Sequence, residues 1–319
     1  METGNHYTED ILKNGFEKLT IPLQDDYQGA NTATLIRRRA AADTRKAVLY
    51  VHGFNDYFFQ QEMAYRFNGE GYNFYAVDLR KYGRSLLPHQ KFNDIRNLKA
   101  YYEEINKALD IVRSEGNSET ILLGHSTGGL ILTLFTKDHL RSNLFDGLIL
   151  NSPFYKLNKN RFVRMFVPLA AFIGRLFPNI TIAGGFTEKY GESIHRSYSG
   201  EWDYNLDWKP NIAPKINLGW LRAIHKGQNE LKKAFRILKP VLVLHSEKSV
   251  SDFDDRRQVS SRDAILNVKD IDKVAHNIMG NVDIAAIKGG LHDLVLSEKQ
   301  VRDKVYSAIF GWLAKNGLL

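Results

Sequence analysis

Short continuous apolar runs alternate along the chain with longer stretches in which apolar residues recur every three or four positions. The short runs predict strands at Phe16–Ile21, Thr32–Arg38, Ala47–Val51, Tyr72–Val77, Thr120–Leu123, Gly147–Leu150, Val241–His245 and Val282–Ile287. Most are apolar throughout, as parallel strands covered on both faces must be. The longer stretches predict helices. In Leu98–Ser114, Tyr101, Ile105, Leu109 and Val112 fall at helical spacing before a stop near Gly116. Leu130–His139 follows a glycine pair, and Lys299–Ala314 stops at Gly317. Strand and helix in alternation predict an α/β fold, a mostly parallel eight-stranded sheet flanked by helices. The first two strands have no helix between them, which predicts an antiparallel edge.

The alternation breaks between Ser152 and Pro240. This stretch holds three of the four tryptophans and no strong strand run, and the strand pattern resumes directly after it. The pattern predicts a cap at 152–236 inserted into a core of 1–151 and 237–319, not two domains in line.

Composition narrows the chemistry. Among 319 residues there is no cysteine. That excludes disulfides, thiol catalysis, cysteine-held zinc and iron–sulfur clusters. The opening residues are polar and lack an apolar signal core. The most apolar later stretch, Phe162–Phe177, is interrupted by Arg164, Pro168 and Arg175 and is too short to span a bilayer. A soluble, cytoplasmic chain is expected. The net charge of +8 comes without any recognised nucleic-acid motif, so no nucleic-acid partner is expected. No metal-ligand spacing such as H-E-x-x-H occurs, and no metal or organic cofactor is implied.

Gly124-His-Ser-Thr-Gly128 matches G-x-S-x-G between a predicted strand and a predicted helix. A sharp turn there strains the central residue and lifts the Ser126 hydroxyl clear of the sheet as a candidate nucleophile. Such a serine needs a base. His292 in Gly289-Gly-Leu-His-Asp293 follows the last strand on a flexible loop and is the leading candidate, with His245 as its rival. The third strand runs into Val51-His-Gly-Phe-Asn55. The backbone N–H of Phe54 just beyond it, paired with that of Thr127, is the candidate oxyanion hole.

These segments resemble the α/β-hydrolase superfamily, in particular its monoacylglycerol lipase, lysophospholipase and serine-aminopeptidase-like branch. The resemblance rests also on Asp78-Leu-Arg-Lys-Tyr-Gly-Arg-Ser85, Pro240-Val-Leu-Val-Leu-His245 and Asp263-Ala-Ile-Leu266, and it covers nearly the whole chain outside the cap. It implies an acyl-hydrolase fold with a cap over the site, and a carboxylate completing a Ser-His-Asp triad. Relatives carry that acid a few residues past the seventh strand, where this chain has Ser249. Asp263, followed by Ala-Ile-Leu as in the family, is the preferred acid after an insertion. Asp252, Asp254, Asp255 and Glu247 are the alternatives. The oxyanion segment H-G-F-N also departs from the family's H-G-x-G.

The resemblance implies a serine hydrolase of carboxylic esters that forms an acyl-enzyme, with a monoacylglycerol or lysophospholipid as the favoured substrate. An aminopeptidase or acyltransferase would use the same machinery, and a non-catalytic ligand-binding member of the fold is a further alternative. A peptide substrate would need an anchor for its amino group, such as Glu188, Glu192, Glu201 or Asp203. Tyr57, Phe58 and, at the start of the cap, Phe154 are candidate substrate-binding residues. The cap carries Lys156, Lys159, Arg161, Arg164 and Arg175, and there is no acidic residue between Asp146 and Glu188. Phe162, Met165, Phe166 and Leu169 fall at helical spacing beside these cations. Either the helix packs inward with a solvated basic face, which is the simpler expectation, or the cap makes peripheral contact with an anionic membrane.

Overall fold

In the computed structural model, which describes residues 6–184 and 188–319, a single twisted sheet carries the site. Its strands are β1 (Thr8–Glu9), β2 (Glu17–Asp26), β3 (Gly29–Arg38), β4 (Lys46–Val51), β5 (Asn73–Asp78), β6 (Glu119–His125), β7 (Gly147–Asn151), β8 (Val241–Ser246) and β9 (Val282–Ile287). They lie in the order β1-β2-β3-β5-β4-β6-β7-β8-β9. From β5 to β9 every pairing is parallel, whereas β1, β2 and β3 run antiparallel to their neighbours. The sheet has nine strands, not eight. The extra one is β1, an exposed two-residue strand held by the Thr8↔Lys18 register, too short to leave a pattern in the sequence.

The helices are α1 (Gln61–Gly69), α2 (Tyr102–Ser114), α3 (Thr127–Asp138), α4 (Arg161–Leu176), α5 (Glu188–Ile194), α6 (Leu218–Glu230), α7 (Arg256–Val259), α8 (Val268–Ala275) and α9 (Lys299–Lys315). Alternating strand residues point to opposite faces, so the sheet feeds two cores. Leu49, Val77, Leu122 and Leu150 face one with α2 and α3. Val48, Phe74, Ile121 and Ile149 face the other with α1 and α9.

Between β7 and β8 the chain builds α4, α5 and α6. Helix α4 packs on α6 through small residues. Val167, Ala171 and Gly174 are buried, and a Cβ on Gly174 would sit 2.3 Å from the Leu218 carbonyl oxygen. The simpler expectation, an inward-packed apolar face, does not hold. Phe162, Met165, Leu169, Phe172 and Leu176 are each more than half exposed. The close backbone approach to α6 has room only for small side chains, so the large ones at helical spacing on the opposite face turn outward. Among the described residues, no helix is long and apolar enough to cross a membrane.

Candidate active site

Ser126 stands at the turn between β6 and α3 with φ 50° and ψ −113°, a left-handed conformation that a side chain disfavours. The surrounding glycines make this turn possible. A Cβ on Gly128 would lie 2.2 Å from the Val51 carbonyl oxygen, and one on Gly124 would lie 2.8 Å from that of Gly128. The Ser126 carbonyl accepts from Leu130 and from Phe154, at 3.0 and 2.9 Å, so the turn is locked on both sides.

His292 lies on the loop after β9. Its Nε2 is 2.9 Å from Ser126 Oγ, and its Nδ1 is 2.9 Å from Asp263 Oδ2. All three side chains are buried. A carboxylate can only accept, so Nδ1 carries the proton and Nε2 presents a lone pair to the serine hydroxyl. The other oxygen of Asp263 accepts from the N–H groups of Ile265 and Leu266 at 2.8 and 2.7 Å, which fixes the carboxylate plane.

An insertion after β8 brings Asp263 to this position. Ser249 and Asp263 pair as an isolated bridge, with Val250 N–H on the Asp263 carbonyl and Asp263 N–H on that of Lys248. The residues between them loop out through α7 and return beside the strand end. Ser249 Oγ is spent on backbone, donating to Leu266 O and accepting from Val268 N–H. The alternative acids point elsewhere. Asp254 pairs with Lys189 in solvent, Asp255 caps α7, and Asp252 and Glu247 are exposed. His245 hydrogen-bonds the Ser246 carbonyl at the end of β8.

A cavity with about 690 Å3 of empty space, part of it open to solvent, lies over the serine. Phe54, Thr127 and Phe154 border it together with Ser126 and His292. Thr127 is the first residue of α3, where backbone N–H groups have no partner within the helix. Tyr57 and Phe58 are not among its lining residues. Phe58 is buried in the α1 and α9 core, its N–H on Asp78 and its carbonyl on Arg84. The Asp78–Ser85 motif thus clamps this loop, with Arg84 itself held by Asp10 and Asp78. The Tyr57 ring packs edge-on to Trp208, and its hydroxyl accepts from Asn205 N–H at 2.7 Å. Of the acidic cap residues weighed as peptide anchors, none borders the cavity. Glu201 pairs with Arg302, and Asp203 with Arg196.

Sequence reasoning missed Asn55, Asp56, Tyr190 and Lys209, which also line the cavity. Asp56 could have been suspected, since it directly follows the H-G-F-N segment. Tyr190 and Lys209 come from the segment between β7 and β8, and no local pattern announces them. Lys209 Nζ donates to Asp56 Oδ1 at 2.8 Å. Burial pushes the Asp56 carboxyl up, but Lys209, His125 and His52 outweigh it and hold the group below the ordinary aspartate value. Asp56 Oδ2, Asn55 Oδ1 and Thr127 Oγ1 are buried with no hydrogen-bond partner among the described residues.

Asp56, His125 and Asp293 carry ligand atoms within 4.8 Å of one another, the one such group among the described residues. Their hydrogen bonds argue against a cation there. Asp293 accepts from Asn151 and Gln60 at 2.7 and 3.2 Å, and Lys209 already supplies positive charge to Asp56.

Two buried histidines brace the site. His52 Nδ1 donates to the Gly53 carbonyl and its Nε2 accepts from Leu79 N–H. Burial lowers the proton affinity of both His52 and His125. They take up protons only at lower pH than unfolded histidines, which do so at about pH 6.5. The unfolded state then binds more protons, so stability must fall as pH drops through that value. Each residue contributes a slope of up to ~1.4 kcal/mol per pH unit. Urea midpoints measured between pH 7.5 and 5.5 should decline, and His125→Gln should flatten the decline. A midpoint that does not change over that range would contradict this.

Comparison with known proteins places the fold. The chain resembles in structure a soluble variant of monoglyceride lipase from Saccharomyces cerevisiae, at 18% identity and TM-score 0.69, covering 92% of this chain and 94% of that one. It likewise resembles the monoacylglycerol lipase of Paleococcus ferrophilus, at 20% identity and TM-score 0.65, covering 88% and 99%. An esterase from Exiguobacterium antarcticum aligns at 16% identity and TM-score 0.59, covering 93% and 100%. At such identities the likeness speaks for the α/β-hydrolase fold. Comparison with curated proteins gave no match. The profile of the hydrolase family described as serine aminopeptidase, S33, matches residues 42–296, most of the sheet and the cap, and the chain belongs to that family.

Proposed function

We propose that the protein is a serine hydrolase of carboxylic esters with a polyol leaving group, a monoacylglycerol being the favoured substrate. The observation that carries this reading is His292 bridging Ser126 Oγ and Asp263 Oδ2, each at 2.9 Å. Ser126 attacks the ester carbonyl while His292 takes its proton. The Phe54 and Thr127 amides receive the oxyanion, the alcohol leaves with the proton from His292, and water activated by the same imidazole releases the acid.

The leaving group is read from the three unpartnered polar atoms beside the serine. A buried acceptor without a donor costs about 1–3 kcal/mol. A polyol supplies hydroxyl hydrogens to Asp56 Oδ2 and Asn55 Oδ1, whereas a methyl ester supplies none. A free ammonium, as an aminopeptidase requires, is less well served, because the Lys209 charge lies 2.8 Å from the same carboxylate. The outward apolar face of α4, bordered by Arg161, Arg164 and Arg175, suits an enzyme that takes its ester from a lipid surface.

The test is a substrate panel of equal acyl chain: a monoacylglycerol, the methyl ester, and an aminoacyl p-nitroanilide. The monoacylglycerol should exceed the methyl ester by at least about 10-fold in kcat/KM. Equal rates would remove the polyol reading, and preferential anilide cleavage would favour the peptidase.

A further inference from the structure

A second large cavity lies on the flank of the cap. It encloses about 1240 Å3 of empty space, part of it open to solvent, and shares no lining residue with the catalytic cavity. Tyr155, Val167 and Gln228, all buried, line its inner part. Its charged lining is Lys156, Arg161, Arg164, Lys232 and Lys273 against one carboxylate, Asp270. Lys156 and Arg164 both spend themselves on Asp270, at 2.6 and 3.1 Å. Arg161, Lys232 and Lys273 have no carboxylate partner among the described residues. Burial and Lys232 both lower the proton affinity of His225 on the same wall. The groove therefore holds more cations than its one carboxylate neutralises, gathered from Lys156 ahead of α4, from α4 itself, from the turn after α6 and from α8.

Its position gives that excess a use. Arg161, Arg164 and Val167 of α4 face the groove, while Phe162, Met165, Phe166 and Leu169 of the same turns face solvent. Because one helix carries both, a lipid surface that receives those apolar side chains has the α4 wall of the groove beside it. We propose that this groove binds the phosphate of an anionic phospholipid and so seats the cap on the membrane in one orientation. The inference rests on the reading that α4 meets a lipid surface. Arginine and lysine donors in a partly dry groove suit a phosphate that is not already paired with its own ammonium.

The experiment uses the full chain with Ser126→Ala, so that binding is read without turnover. Sedimentation is compared on vesicles of phosphatidylcholine alone and of phosphatidylcholine with phosphatidylglycerol. Binding to the mixed vesicles should be at least about 10-fold tighter and should weaken with salt. Lys232→Glu with Lys273→Glu should abolish that preference while leaving binding to the neutral vesicles and the melting temperature unchanged. Phe166→Ser with Leu169→Ser should weaken binding to both. Binding to both vesicle types alike, or an undiminished preference in the lysine variant, overturns the headgroup site alone. Absence of binding to either overturns the membrane reading with it, while the ester-hydrolase reading is judged separately by the substrate panel. A fourth arm adds inorganic phosphate at fixed ionic strength. Release of the protein from mixed vesicles supports the site, and thermal stabilisation by phosphate without any vesicle preference would make a free phosphate compound the ligand and overturn the lipid assignment.

Discussion

Ser126→Ala is expected to lower kcat on the best ester by about a million-fold and to abolish labelling by a fluorophosphonate probe. The size of the effect follows from the covalent step. Without Oγ no acyl-enzyme can form, and what survives is the positioning and oxyanion stabilisation that the cavity offers to water, worth roughly 10³–10⁴ over solution. Folding should be little affected. Ser126 holds the turn through its carbonyl bonds to Leu130 and Phe154, and alanine keeps both. Turnover by the variant near the wild-type rate would place the chemistry elsewhere. An unlabelled wild type that binds ester without cleaving it would favour a non-catalytic ligand-binding protein.

Asp263→Asn should cost about 10⁴ in kcat. The argument lies in which atom of the amide faces His292. Two backbone donors, Ile265 and Leu266 N–H, converge on Oδ1 and demand an acceptor there. The amide NH₂ must then occupy the Oδ2 place and point a hydrogen at His292 Nδ1. Nδ1 becomes the acceptor, the ring proton moves to Nε2, and the base no longer offers a lone pair to Ser126. The same change at Asp252, Asp254 or Asp255 should leave kcat within about 2-fold, because those carboxylates belong to the looped-out insertion. Loss of activity on changing Asp254 or Asp255, with Asp263→Asn nearly unharmed, would transfer the acid to the insertion.

These two experiments also mark where the sequence was legible. The strands from Ala47 to His245 could be read because both of their faces are buried, so their runs are mainly apolar, and the half-buried edge strand Val282–Ile287 still carries enough apolar residues around Asp283 to show. The β1 strand could not, since two exposed polar residues paired only at an edge carry no pattern. Ser126 and His292 sit in short glycine-bearing segments whose composition reflects local backbone demands. Asp263 could be ranked but not fixed from the chain, because its approach depends on a bridge to Ser249 that closes an insertion. The aromatic run after the H-G-F-N segment misled in a specific way. Tyr57 and Phe58 look like channel residues until the Asp78–Arg84 clamp is seen to drive one into the core and the tyrosine hydroxyl is seen to hold the cap. The outward face of α4 was illegible for a similar reason. Apolar spacing reveals that one side of a helix is greasy, but which side faces the protein is decided by the small residues opposite.

The stretch of cap from Trp202 to Pro210 is stitched to the core at several points. Trp202 donates to the Leu296 carbonyl, Asn205 to the Tyr57 hydroxyl, Lys209 to Asp56, and Asn55 to the Pro210 carbonyl. That side of the mouth behaves as a fixed jamb. A long acyl chain is then accommodated along the rest of the rim, where Phe154, Ile194 and Ile265 offer apolar side chains.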